Sequence, residues 1–301
     1  MTLLSIIITL GIERFYRVLD DYRNLDWFAR WSNWVAEHRS INSSRTSVIV
    51  TLLTLLLPLL LVHQLATWMA DGGWLPELLF NMLILVLSLG PKDLRTQVET
   101  VIESWTQDDV EGGILHAEGL LEGELPEEKR GVIRKLTEAV LTEANPRIFT
   151  VLFWFILFGP AAALLVRLSL TLMELQKSED DDFAGSPTSL LIQINHFLAW
   201  PAAHLVAISY AVVGDFSSAM KRIIEHGGDW QRNRVVMLYA GLGAIRLDPL
   251  QEDQAELSVE EEGQESAELQ EVWDALEMVR RAEFAWIALL ALLILTGAIH
   301  T

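Results

Sequence analysis

The chain has 301 residues, 51% of them apolar and 21% charged, with a net charge of −19. So acidic a chain excludes nucleic acid, which needs a basic face. The lack of cysteine excludes disulfides, thiolate-bound metal clusters and thiol nucleophiles.

Such apolar and charged fractions coexist only if the two are segregated along the chain. Met1–Gly11 is apolar but lacks the basic start and small-residue cleavage site of a signal peptide. It reads as a retained helix start that packs on a bundle or lies at a membrane interface; a half-span is the alternative. Residues 13–45 read as helical, with Trp27, Trp31 and Trp34 at spacings of four and three. That stripe is expected to be core. Residues 46–91 hold two apolar runs, Thr46–Ala70 and Leu75–Gly90, separated by the turn Asp71–Trp74. A span needs about 20 apolar residues, so this is a transmembrane hairpin. His63, Gln64 and Asn81 are expected to pair between its two helices.

Residues 92–146 read as a helical hairpin outside the bilayer. Leu94, Val98, Val101, Ile102 and Trp105 mark one apolar face, Gly112–Gly113 a break, and Val132, Ile133, Leu136, Val140 and Leu141 a second face. Residues 147–214 form a further transmembrane hairpin, Arg147–Met173 and Leu190–Gly214. Residues 215–280 are helical, with Gly241 and Gly243 suggesting close packing. An acidic, solvated linker is expected over 251–271. Residues 281–301 supply the last span, Ala282–Ile299. The fold class expected is therefore an all-α integral membrane protein of about five transmembrane helices with amphipathic helices outside the bilayer.

All but two of the 22 Lys and Arg residues fall in 1–45, 92–147 and 215–281. The exceptions are Arg167 and Lys177. Positive segments stay in the cytoplasm, which puts these three segments inside and the acidic Ser178–Phe183 loop outside. Five spans close this alternation. The location expected is a bacterial inner membrane, with lipid as the first partner.

Polar residues in or beside spans are the candidate binding residues, since such groups are costly in lipid. Asn195, His196, Trp200 and His204 share one span. His196 and His204 are eight apart and share a face if the Pro201 kink is mild. Each is either a satisfied buried group or a ligand contact, and two histidines do not make a metal site. Arg167 either snorkels toward Glu174 or lines a pathway. Glu13, Arg14, Arg95, Asn145, Arg147 and Asp215 lie where spans meet the cytoplasmic segments. They form either a pocket for an anionic ligand or an interfacial salt-bridge cluster. No strand precedes a glycine-rich phosphate loop, and no cofactor or metal is expected.

Three stretches resemble the CobD/CbiB-type membrane synthases of cobalamin assembly. They are Leu152-Phe153-Trp154 with Gly159-Pro160-Ala161, Asn195–Ala202, and Ala211–Asp215. The start, Met1–Leu4 through Gly11–Arg14, and the length resemble the AmpE family more closely. The synthases' acidic "ENTSDG" run reads Thr142–Arg147 here, their "GRDT" element reads Glu122–Pro126, and their "TLD" reads Thr171-Leu172-Met173. The arginine after their Pro-Ala is His204. The resemblance thus implies a CobD/CbiB-like fold without the amide-forming reaction. It implies a non-catalytic regulator linked to peptidoglycan recycling and β-lactamase induction, with the cytoplasmic amidase AmpD or a cell-wall-derived ligand as partner. A degenerate or re-purposed condensing synthase with a cytoplasmic-face site, and a transporter using Arg167, are the other classes.

Overall fold

The computed structural model describes residues 2–15, 25–37, 44–90, 94–107, 109–121, 125–126, 129–177, 187–226, 232–247 and 261–296. Every regular element among them is helical, as expected for an all-α membrane protein. Three described helices are long and apolar enough to cross a bilayer: Ile49–Asp71, Lys129–Phe158 and Ser189–Val213. Two shorter helices, Thr2–Ile12 and Trp74–Ser88, are also apolar. The chain divides into two compact units.

The first unit comprises Met1–Pro91, Pro146–Ala202 and Leu290–Thr301. It contains α1 (Thr2–Phe15), α2 (Asp26–Glu37), α3 (Ser44–Asp71) and α4 (Trp74–Ser88). Gly73, at φ +108°, closes the turn between α3 and α4, a backbone region that side chains other than hydrogen rarely permit. α1 packs on α4 and buries Ile6 against Leu85, Leu89, Leu152 and Phe155. A second cluster joins Phe28 of α2 to Leu55 and Val62 of α3, with Leu164, Leu168 and Leu172 behind them.

Five expectations are corrected here. On α2 the core side chains are Leu25 and Phe28, while Trp27 and Trp34 are 44% and 51% exposed. Trp31 stacks on Trp34 at 5.5 Å and donates its indole N–H to the Thr54 carbonyl at 3.3 Å. Only Trp31 of the three therefore faces the bundle. The spacing of the tryptophans fits one face, but Leu25 and Phe28 take the bundle side and leave Trp27 and Trp34 exposed.

Second, Arg147–Met173 is not one helix. It divides into α8 (Thr150–Phe158) and α9 (Pro160–Lys177), which pack on each other across a corner at Gly159. Gly159 has φ 77° and ψ −163°, open essentially to glycine alone, and Pro160 starts the next helix. Third, His63 and Gln64 are exposed while Asn81 is buried, and no hydrogen bond joins them. Fourth, Arg167 does not snorkel; it is buried inside α9. Fifth, the long C-terminal helix begins at Glu261, so half of the expected acidic linker is helix and the rest lies outside the described residues.

The Gly159 corner yields a clean prediction. A Cβ there would meet no heavy atom within 4 Å, so only the backbone opposes it. Gly159→Ala should cost about 1–3 kcal/mol of stability through strain alone. Thermal unfolding in detergent would read this as a lowered midpoint; an unchanged midpoint would mean the corner relaxes freely.

The second unit comprises Lys92–Asn145 and Ala203–Leu289. It contains α5 (Leu94–Thr106), α6 (Val110–Glu118) and α7 (Lys129–Ala144). The end of α10 (Pro187–Val213), α11 (Phe216–His226), α12 (Asn233–Ala244) and most of α13 (Glu261–Leu295) complete it. The two predicted apolar faces are buried as read: Leu94, Val98, Val101, Ile102 and Trp105 on α5, and Val132, Ile133, Leu136, Val140 and Leu141 on α7.

The break, however, precedes Asp109 rather than falling at Gly112–Gly113. Asp109 caps α6 by accepting the Gly112 N–H at 2.8 Å. Gly113 lies inside α6 because a Cβ there would sit 2.2 Å from the Trp105 indole nitrogen. These glycines serve close packing within a helical hairpin, not a loop.

Candidate functional site

The helix that begins as α7 does not end at Ala144. Pro146 has no N–H to donate, and the helix widens to a π turn over Asn145–Phe149 before α8. The expected residue Asn145 stands at this turn, 1% exposed. Its Oδ1 is buried and accepts no hydrogen bond among the described residues. An amide oxygen in that state loses its water without replacement, which costs about 1–3 kcal/mol. One turn earlier, the Leu141 carbonyl accepts the buried Tyr210 hydroxyl at 3.0 Å. Sequence reasoning misses Tyr210, because a tyrosine near the end of an apolar run carries no signal separating core from interface.

Asp215, also expected, is fully engaged. Its Oδ1 accepts the Ser218 N–H at 2.9 Å and so caps α11. Its Oδ2 accepts Arg246 Nε at 2.7 Å. Its own N–H donates to the Ala244 carbonyl at 3.0 Å. Arg246 adopts φ 58°, which turns the chain after α12 toward the carboxylate. The Ser218 backbone hydrogen bond, then the Arg246 guanidinium, hold the Asp215 carboxyl below its ordinary range.

The sign of the pH effect follows. A carboxyl whose folded-state pKa is depressed stabilises the fold above its unfolded pKa and loses that contribution as pH falls through the folded one. Wild type should therefore unfold at a higher temperature than Asp215→Asn at pH 7. The gap should close as pH drops below the ordinary carboxylate range of about 4. A pH-independent gap in a melting series would contradict this.

Arg95 pairs with Glu99 one turn on, at 2.6 Å and partly exposed. His204 is buried on α10. These four, Arg95, Asn145, His204 and Asp215, belong to the second unit.

The other six belong to the first. Glu13 and Arg14 stand in the last turn of α1; their side chains lie outside the described residues. Arg147 offers its carbonyl to the Gly90 N–H at 3.1 Å, and its side-chain stem fills the space a Cβ on Gly90 would need. Asn195 is saturated: Oδ1 accepts Ser169 Oγ at 2.8 Å, and Nδ2 donates to the Ser169 and Leu191 carbonyls at 3.1 and 2.9 Å. It clasps α9 to α10 and has nothing left to offer a ligand. Sequence reasoning misses Ser169 as well, although a small polar residue in a span hints at such a bond.

Pro201 opens the turn before it in α10. The Trp154 indole fills that turn, donating to the Leu198 carbonyl at 2.8 Å. His196 and Trp200 are exposed, whereas His204 is buried. The two histidines therefore do not share a face: eight residues leave about 80° between them. No group of three or more metal-binding side chains occurs among the described residues.

An all-helical membrane fold, buried amides that clasp helices, and carboxylates used in caps define a membrane protein built of packed apolar helices. The family is settled by comparison: residues 1–300 match the model of AmpE, described as a regulatory signalling modulator protein, and the chain belongs to that family. It is also similar to two curated proteins named cobalamin biosynthesis protein CobD. One, from Stutzerimonas stutzeri, is 28% identical over 63% of this chain and 61% of its own length. The chain thus spans about three fifths of that relative. The other, from Chromobacterium violaceum, is 24% identical over 80% of both chains. No solved structure matches.

Proposed function

We propose that the chain is a non-catalytic regulator in the bacterial inner membrane that couples peptidoglycan recycling to β-lactamase induction. The observation that carries the reading is the match to a family of signalling modulators along residues 1–300. Segments 1–45, 92–146 and 215–280 are proposed to lie in the cytoplasm; the sorting of the basic residues supports this. A cell-wall-derived ligand or the amidase AmpD binds the cytoplasmic unit and shifts a two-state equilibrium. Asn145 is the contact favoured, because its buried oxygen lacks a partner among the described residues.

Purified protein in detergent should melt at a higher temperature with anhydro-muropeptide or the amidase added. Deleting the gene should change β-lactamase induction by a β-lactam. No shift with either partner, together with unchanged induction, would remove this reading.

The second reading is a re-purposed condensing synthase. The two relatives named for cobalamin biosynthesis favour it. The residues expected for its site divide between the two units, Asn145 and Asp215 in the second, Arg147 and His196 in the first. Against it, Asp215 is occupied by Ser218 and Arg246, and His196 is exposed. Amide formation from a carboxylate and an amine that is lost in Asn145→Ala would revive it.

A further inference from the structure

The apolar sector of α11 is wider than the neighbour that covers it. Phe216, Ala219, Met220, Ile223 and Ile224 fall within about 140° of arc around the helix. α12 packs on part of this sector: the Gly243 backbone lies against Ser218 and Ala219, and Ala219 and Ile223 are buried. The rest is uncovered. Phe216 is 56% exposed and Ile224 73%. Met220 is partly exposed between them.

The position of α11 says what covers this strip. The apolar run of α10 ends at Val213. Beside it, a Cβ on Gly214 would strike Ala244 and Met278 at 2.7 Å, so Met278 of α13 stands level with the end of α10. The apolar end of α13 starts at Ala282, one turn beyond. Two helices thus fix the same boundary between apolar and polar chain. α11 begins there, with only Gly214 and Asp215 between it and α10. Basic side chains gather at that level: Arg246 on Asp215, Arg280 and Arg281 on Glu277, and Lys221 and Arg222 on α11. Among the described residues Lys221 is held by a 4.0 Å exposed pair with Glu225, which leaves its ammonium able to turn to another anion.

We propose that α11 is a membrane-surface helix. Phe216, Met220 and Ile224 enter the boundary of the acyl chains, and Lys221 and Arg222 meet the phosphates of anionic lipids. The inference rests on the reading that α10 crosses the membrane.

Because the chain has no cysteine, single nitroxide labels can be placed without background. The full chain would be labelled at Ile224→Cys, Phe216→Cys, Glu225→Cys and, within α10, Ile208→Cys. Each would be reconstituted in nanodiscs of phosphatidylcholine with or without phosphatidylglycerol. Labels at 216 and 224 should collide with oxygen as the label at 208 does, and the label at 225 with a water-soluble nickel complex. Adding Lys221→Gln and Arg222→Gln should erase any extra immersion that phosphatidylglycerol gives. Nickel access at 224, or a 224 label shielded from both reagents by a protein partner or second copy, overturns the proposal. Lipid at 208 with water at 224 removes it alone, whereas water at 208 removes the spanning reading with it.

Discussion

Gly243→Val should lower the melting temperature of the whole second unit, and by more than a substitution at Gly241. The ideal Cβ at Gly243 falls 2.6 Å from the Ala219 Cα, 2.8 Å from the Ser218 carbonyl oxygen and 2.9 Å from the Ala219 nitrogen. All three are backbone atoms of α11. Carbon atoms rest at about 3.5–4.0 Å, so α11 and α12 must part by roughly an ångström. That displacement pulls Asp215 from the Ala244 carbonyl and Arg246 from Asp215. Overpacking of this kind costs about 1–3 kcal/mol, and the branched valine belongs at the upper end.

Gly241 gives the internal comparison. A Cβ there meets only the methyls and Cγ of Leu141, at 2.8–3.1 Å, and a side chain can rotate where a backbone cannot. Gly241→Ala should therefore be milder than Gly243→Ala. Gly11, with nothing within 4 Å of a Cβ, should tolerate alanine and gain from helix propensity, about 0.5–1 kcal/mol. Thermal unfolding of the three alanine variants in one detergent tests the order. A Gly243 variant as stable as the Gly11 variant would mean that the α11–α12 contact is not close.

This contact is legible in the amino-acid sequence, because two glycines two residues apart in an apolar helix have few other uses. The faces of α5 and α7 are legible too. Those helices carry charged residues on their outer sides, so the 3.6-residue period of the core face stands out. The same rule fails where a helix is apolar all round. On α3, Leu60 and Leu61 are exposed while Val62 is buried, and nothing in their chemistry separates them. Lipid is as apolar as a protein core, so burial leaves no trace in composition.

That is why α9 reads as the continuation of α8. Gly159-Pro160 is the available signal: a positive-φ glycine ahead of a helix-starting proline is a common corner. Among the polar residues, the sequence singles out Asn145, Asn195 and Asp215 alike. It does not reveal that Asn195 and Asp215 are fully paired, since their partners Ser169 and Arg246 lie 26 and 31 residues away. Pairing is a property of packing, and it turns two of three equal candidates into structural residues.

The remaining candidate gives the sharpest functional prediction. If the proposed function holds, Asn145→Ala should abolish the effect that deleting the gene has on β-lactamase induction, while leaving the melting temperature close to wild type. Truncating a buried amide usually destabilises, because a partner is left unpaired. Here Oδ1 has no partner among the described residues, so its removal relieves a desolvated acceptor. The opposing loss is a small cavity, of the order of 1 kcal/mol. Asn195→Ala serves as the contrast, since it removes both hydrogen bonds that join Asn195 to Ser169 and opens the clasp between α9 and α10. It should lower the melting temperature clearly, with function falling only as folded protein is lost. If Asn145→Ala melts early like Asn195→Ala, Asn145 is structural and the ligand contact proposed for it fails. If it melts as wild type and induction is unchanged, the π turn merely accommodates Pro146. Loss of function without loss of stability places Asn145 in recognition or chemistry and not in the fold.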